Sequence, residues 1–376
     1  MPAEASAMRP TRARVDLAAL AHNLAAVRAA AAGSQVYGVV KADAYGHGLV
    51  EVARTLEGAG VDGLCVALAE EGLSLRAAGV KAPLLVLNGA YGDAHDRVLS
   101  EGLTPVAYSS EQLAAFAAAA GGGERVGVHL KVDTGMARLG VEPARLAALL
   151  DAMPAAIRID GVMTHLSSAD SDDAATREQL ARFEEALRQI RSRGHAPTLV
   201  HAANSAATFN YPGCRFDMVR AGIALYGVRP AVPTGAEPDA AEGTLRPVMS
   251  LRSEVIAVRE LSVGESVGYD RTFTATRPSR IATVPIGYGD GLLRAASNRA
   301  SMLVRGQPCP VAGRVSMDLT SLDVTDLPGC EVGDEVVVLG EQQGAVRTAE
   351  QLAADCGTIS YEVLTAISQR VPRTHA

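Results

Sequence analysis

An α/β protein in two parts is what the sequence predicts: strand and helix units up to about residue 230, then a smaller, mostly-β domain. Three observations carry this. Short apolar runs alternate with amphipathic helical stretches in the first part. A stretch at 229–247, rich in Pro, Gly, Ala and acidic residues, has no periodicity and reads as a linker. Beyond it, short alternating runs are punctuated by Gly264-Glu265 and Gly333-Asp334. Eight strands alternating with helices in about 215 residues fit a (β/α)8 barrel, with a doubly wound open sheet as the alternative on pattern alone.

Taken in order, residues 1–12 carry no pattern and 13–15 form a candidate strand. Asp16 is placed to cap a helix with Leu17, Leu20, Leu24 and Val27 on one face. Strand candidates follow at 35–40, 63–68, 83–87, 104–108, 125–132, 158–165, 198–201 and 216–219. The helix after the sixth of these shows the stripe Leu180, Phe183, Leu187 and Ile190, with Gly194 as its terminator. In the second part, strands are expected at 250–260, 281–285, 302–304, 314–318 and 335–339, and Thr348 with Gln351 matches a capping box that opens a closing helix. The domains are therefore read as 12–230 and 245–376, with 13–15 also a candidate to pair with the second.

The composition excludes several classes. With 376 residues the chain is long enough for two cores, and 48% apolar with 20% charged residues is ordinary for a globular protein. A net charge of −7 spread along the chain argues against nucleic acid or an anionic membrane as partner. No signal-peptide core is found in residues 1–12 and no stretch long enough to span a bilayer, so the cytoplasm is the expected location. Cys65, Cys214, Cys309, Cys330 and Cys356 are scattered, odd in number and without C-x-x-C spacing, which argues against a disulfide framework and a zinc site.

The stretch around which the chain is organised is Val39-Val40-Lys41-Ala42-Asp43-Ala44-Tyr45-Gly46-His47-Gly48. A lysine closing a β-branched run is ordinarily a solvated strand end. Here it stands at the carboxyl end of a buried strand, where α/β sheets place their chemistry, followed by two glycines that permit a tight turn. The ten residues resemble the alanine racemases, and the resemblance, which runs from about residue 12 to 370, decides for the TIM-type barrel. It implies that Lys41 carries pyridoxal 5'-phosphate as a Schiff base.

Other unusual polar residues cluster at expected strand ends: Lys131 and Arg138 after the fifth strand, His165 after the sixth, Asn204 and Ser205 after the seventh, and Arg220 after the eighth. The string Lys131 to Gly140 matches the family. The resemblance implies that Arg138 contacts the substrate carboxylate and the cofactor's phenolic oxygen, and it makes Lys131 a candidate for carbamylation. By the same resemblance, His165 stacks near the pyridine ring, and Ser205, Gly222, Ile223, Tyr45 and Tyr361 hold the cofactor phosphate, with Asn204 beside them. His201 is read as a residue behind the cofactor contacts. Arg220 would face the pyridine nitrogen, where a donor-only guanidinium leaves that nitrogen unprotonated.

In the second domain, Gly268-Tyr269-Asp270-Arg271 matches the family's other catalytic motif. Tyr269 is then the second base, reaching into a neighbouring subunit of a homodimer. A free tyrosine titrates near 10, and the resemblance suggests that a hydrogen bond to His165, itself linked to Arg220, helps it act. Met317, in Ser316-Met317-Asp318, would help orient the substrate carboxylate; many relatives have cysteine where this chain has Ser316. Tyr288, Asp170, Arg294, Arg314 and Ile359 resemble the lining of the family's access corridor. The expected function is racemisation of alanine by two bases, supplying D-alanine for peptidoglycan. A serine or broad-specificity racemase is the alternative, with a pyridoxal-phosphate-dependent decarboxylase or a non-catalytic carrier of the cofactor behind it. No metal is expected, since neither His165 nor His201 has partners at ligand spacing.

Overall fold

The computed structural model describes residues 8–121, 125–236 and 244–376. Residues 1–7 of the unpatterned start and 237–243 of the expected linker lie outside the described residues. The chain divides into two compact units, one comprising Leu20–Ala44 and Leu49–Arg246, the other Pro247–Ala376 with Tyr45–Gly48 and the N-terminal residues up to Ala19.

The chain opens with β1 (Arg12–Val15) and α1 (Leu17–Ala31), where Asp16 Oδ1 accepts from Ala19 N at 2.8 Å. The barrel unit then runs through β2 (Gln35–Val39), α2 (Lys41–Gly46), α3 (Leu49–Gly58), β3 (Gly63–Val66), α4 (Ala69–Ala77), β4 (Leu84–Val86), α5 (His95–Ser100), β5 (Thr104–Ala107) and α6 (Ser110–Ala119). It continues with β6 (Val126–Lys131), α7 (Pro143–Asp151), β7 (Ile157–Met163), α8 (Asp173–Ser192), β8 (Leu199–His201), α9 (Ser205–Asn210) and β9 (Met218–Ala221). The strands are parallel in the order β8-β7-β6-β5-β4-β3-β2-β9. Between β8 and β9, Asp217 N donates to Val200 O at 3.0 Å and Arg220 N to Ala203 O at 2.9 Å, so the sheet is a nearly closed barrel and not an open one.

Short apolar runs become these strands because helices cover them outside and side chains fill them inside: β3 and β4 are buried at every position. On α8, Phe183, Leu187 and Ile190 bury the expected stripe against Leu130, Val162 and Val200, each contributing about 1.5–3 kcal/mol. Most of the expected barrel strands end one or two residues early, and at two of them the difference moves a site residue. The 158–165 run stops at Met163, leaving His165 in the following loop. The 216–219 run starts only at Met218, because Phe216 sits at φ +46° and Asp217 turns its carboxylate to Val200 N, so Arg220 lies inside β9 and not past its end.

The second unit contains β10 (Met249–Glu254), β11 (Ala257–Leu261), β12 (Ser266–Val267), β13 (Phe273–Thr274), β14 (Ser279–Val284), β15 (Ser301–Val304), β16 (Gln307–Pro310) and β17 (Thr320–Asp323). It closes with β18 (Glu335–Gln342), β19 (Ala345–Arg347), α10 (Ala349–Cys356), α11 (Ser360–Ala366) and β20 (Arg373–His375). Its largest sheet has the order β16-β15-β18-β10-β1-β20, into which β1 pairs antiparallel to β10 and parallel to β20; a second sheet is β11-β14-β17.

The expected single strand at 250–260 is two. At the break, Val255 N donates to Asp334 O and Ile256 N to Thr283 O, both at 2.9 Å, and the chain passes from one sheet to the other. The expected strand at 314–318 is absent: Ser316 N closes a turn on Leu319 O, Val315 N donates to Ser297 Oγ, and the ladder begins only at Thr320. The capping box is formed, Gln351 N to Thr348 Oγ1 at 3.2 Å and Thr348 N to Gln351 Oε1 at 3.0 Å. Among the described residues no helix is long and apolar enough to cross a membrane.

Candidate active site

Lys41 opens α2 directly after β2, whose last carbonyl, Val39 O, accepts the buried Tyr226 hydroxyl at 3.0 Å. That segment is a left-handed helical turn. Ala42, Asp43, Ala44 and Tyr45 have φ of +54°, +53°, +53° and +54°, and Ala44 N donates to Val40 O at 2.8 Å. For residues bearing a Cβ, this conformation costs about 1–2 kcal/mol each, and such strain collects at functional sites. The amine of Lys41 is held below the usual lysine range, first by desolvation and then by Arg138, with Glu71 and Cys65 opposing.

Lys131 is the last residue of β6, buried, and its pKa is brought down to about 8 by desolvation and then by Arg220, Arg138 and Lys41. Arg138 is exposed on the following loop. Asp133 Oδ1 shapes that loop by accepting from Gly135 N at 2.9 Å and Ala137 N at 3.1 Å. At Gly140, φ +137°, a Cβ would meet Asp133 N at 2.5 Å, so only glycine closes the loop.

His165 is half-buried, and desolvation with the charges of Arg220, Lys131, Arg138 and Lys41 lowers its pKa to about 3, leaving a neutral imidazole. Gln179 on α8 fixes its backbone, donating to His165 O at 3.1 Å. The expected link from His165 to Arg220 is not made. Arg220, 3% exposed, donates instead to His201 Nδ1 at 2.7 Å, to Thr164 O at 2.8 Å and to Ala202 O at 3.1 Å. Burial lowers the guanidinium to about 10, still protonated at neutral pH.

His201 Nε2 continues to His129 Nδ1 at 2.8 Å, so three buried side chains form a file. Arg220 has only protons to give, so His201 Nδ1 accepts, His201 carries its proton on Nε2, and His129 Nδ1 accepts in turn. His129 escaped the sequence reading because a lone histidine in mid-strand carries no signal. Its one trace is Gly161 on the neighbouring strand, where a Cβ would meet the ring at 2.6 Å.

Ser205, buried at the start of α9, accepts from Gly222 N at 2.9 Å and Ala224 N at 3.3 Å. A hydroxyl and backbone amides thus converge after β8 and β9, where barrels bind phosphate. Asn204 turns its side-chain oxygen to Ala207 N at 3.0 Å and caps α9. Asp170 is exposed after β7. The donor set, four cationic side chains with a hydroxyl and the backbone amides gathered on it, suits a ligand carrying phosphate and carboxylate, as pyridoxal phosphate with an amino acid would.

The second unit carries the other expected residues. Tyr269 is 69% exposed, on a turn with Gly268 at φ +70° and Asp270 at +57°, and Asp270 pairs with Arg314 at 2.6 Å. Tyr288 and Met317 are also exposed, joined through Tyr288 N to Ser316 O at 3.0 Å and Gly289 N to Met317 O at 2.9 Å. Arg294 is exposed near them in sequence. The rings of Tyr45 and Tyr361 lie 6.0 Å apart, and Ile359, exposed, caps the helix that bears Tyr361.

Comparison with known proteins follows the same outline. A family model described as alanine racemase, N-terminal domain, matches residues 15–230, and one described as alanine racemase, C-terminal domain, matches 248–375. An alanine racemase of Sorangium cellulosum (strain So ce56) is 49% identical over 97% of this chain and 99% of its own. The crystal structure of alanine racemase from D-cycloserine producing Streptomyces lavendulae is similar with a TM-score of 0.90 at 35% identity, covering 98% of this chain and 97% of that one. Alanine racemase from Bartonella henselae with covalently bound pyridoxal phosphate is similar with a TM-score of 0.87 at 31% identity, over 98% of this chain and 99% of that one. Matched in both of its parts and along nearly its whole length, the chain belongs to the alanine racemase family.

Proposed function

We propose that the protein interconverts L- and D-alanine with pyridoxal 5'-phosphate, using Lys41 and Tyr269 as the two proton carriers. The observation that carries this reading is Lys41 itself: a lysine with a lowered pKa on a strained turn at a barrel strand end, amid cations that suit an anionic cofactor. The cofactor, when bound, weakens the substrate's Cα–H bond by conjugation. The protein's part is to hold that carbon between an amine and a phenol. Lys41 takes the proton from D-alanine and Tyr269 from L-alanine, with the roles exchanged in reverse, because one base does not serve both faces.

Ser205, Gly222, Ile223, Asn204, Tyr45 and Tyr361 hold the phosphate end in this reading. Arg138 and Met317 orient the carboxylate, and Asp170, Tyr288, Arg294, Arg314 and Ile359 line the access corridor. Arg220, with only donors, keeps the ring nitrogen unprotonated and limits side reactions. Lys131, buried with a pKa near 8 among three cations, suits carbamylation: its free amine adds carbon dioxide, releases a proton, and becomes an anion facing Arg138.

The exposure of Tyr269 supports a homodimer in which Tyr269 of the partner subunit meets His165, whose neutral ring is a fitting acceptor. Five buried free cysteines fit a reducing cytoplasm, where D-alanine would serve peptidoglycan synthesis. A decarboxylase is disfavoured by Arg220, since that family sets a carboxylate against the ring nitrogen, and a cofactor carrier would have no use for the second unit. The test is the initial rate of D-enantiomer formation from L-alanine and L-serine side by side. Strong preference for alanine supports the reading; comparable rates point to a broad racemase, and no turnover overturns it.

A further inference from the structure

We propose that Glu71 is a positioning residue that holds Lys41 at the mouth of the barrel by gripping the turn that follows it. Glu71 is the third residue of α4, and its Oε2 accepts from Ala67 N at 2.8 Å and Leu68 N at 3.1 Å. That alone is the return half of a capping box, in which the third helical residue's carboxylate accepts from the amide that precedes the helix. The other oxygen does something a cap does not require. Oε1 crosses to the preceding β/α loop and accepts from Ala42 N at 2.7 Å, the first amide after Lys41 and the first residue of the left-handed turn.

Four consecutive side-chain-bearing residues at positive φ do not stay there unaided. Asp43 Oδ1 holds the far side of the turn by accepting from Leu49 N at 2.7 Å, and Glu71 holds the near side with a charged acceptor, the stronger kind. One carboxylate thus ties the start of α4 to the backbone that aims Lys41. It also lies near enough to Lys41 to favour the amine's charged form.

The proposal rests on Lys41 being the cofactor lysine, and the experiment separates the two. In the wild-type holoenzyme, borohydride reduction followed by peptide mass spectrometry finds which lysine carries the cofactor; a lysine other than Lys41 refutes the functional reading alone. Glu71 is tested by pyridoxal phosphate affinity, by amide hydrogen exchange across residues 41–46 and by melting temperature. Glu71→Gln keeps one acceptor oxygen, so it serves α4 or Ala42 but not both. It is expected to weaken cofactor affinity about 10–100-fold and to speed exchange in the turn.

Adding Ala42→Gly, which accepts positive φ without the Cβ penalty, should recover most of that affinity. Should Glu71→Gln not fold, Glu71→Asp serves instead: the shorter carboxylate can cap Leu68 but not reach Ala42, and the same losses with an unchanged melting temperature are expected. A lowered melting temperature with unchanged affinity and exchange in either variant, or no recovery on adding Ala42→Gly, would reduce Glu71 to a helix cap and overturn the proposal.

Discussion

The two regions that would supply the two proton carriers are built in opposite ways. Around Lys41 the barrel packs strained backbone, a buried file of Arg220, His201 and His129, and two lysines, Lys41 and Lys131, held below the usual lysine range by burial and by neighbouring cations. Around Tyr269 there is a short turn held by the Arg314–Asp270 ion pair, 33% and 65% exposed in its side chains, worth about 0–1 kcal/mol. One side is finished within a single chain. The other presents an aromatic ring that nothing in its own unit buries, as a group meant for another subunit would be.

The comparison breaks most directly at the two carriers. Lys41→Ala should remove the visible absorbance of the bound cofactor and lower turnover by about 10³-fold or more, read by spectrum and by rate. A full yellow colour in that variant would sink the cofactor assignment. Tyr269→Phe should lower kcat by about 10²–10⁴-fold while leaving the spectrum intact, because the tyrosine side carries no part of cofactor attachment.

Smaller effects sharpen the contrast. Burial pushes His129 down from the ordinary imidazole range to about 4 in the folded chain, so below that ordinary range the unfolded chain binds more protons and stability falls as pH falls. The slope should reach about 1.4 kcal/mol per pH unit for this residue and level off below pH 4. Denaturant midpoints for wild type and His129→Gln, measured from pH 7 to 4, check it, with a flatter curve expected for the variant. Arg314→Ala, on the other side, should change stability by about 0–1 kcal/mol with no new pH dependence over the same range. Enrichment with ¹³C-labelled carbon dioxide should give a carbamate carbon resonance that disappears in Lys131→Ala.

Much of this was legible in the sequence, for identifiable reasons. Buried parallel strands read as unbroken apolar runs, and the stripe of α8 and the Thr348–Gln351 box are local patterns that tertiary structure did not overrule. The second unit was harder, since strands such as β16 and β17 carry Pro, Ser and Thr and owe their state to pairing. The 314–318 run alternates like a strand, yet its amides serve turns.

At the site, the residue types were visible from motifs but their links were not. Ala42 to Tyr45 contain no glycine to announce positive φ. The file from Arg220 to His129 joins positions 91 residues apart through His201, and it depends on Arg220 lying two residues deeper in β9 than the apolar run suggested.

The most direct test of the central claim, two carriers from two subunits, is complementation. Inactive Lys41→Ala and inactive Tyr269→Phe chains would be mixed under conditions where subunit exchange is verified by mass or label. Shared sites predict recovery towards about a quarter of wild-type activity, because half the dimers are mixed and each mixed dimer holds one intact site of two. No recovery after verified exchange would contradict the account.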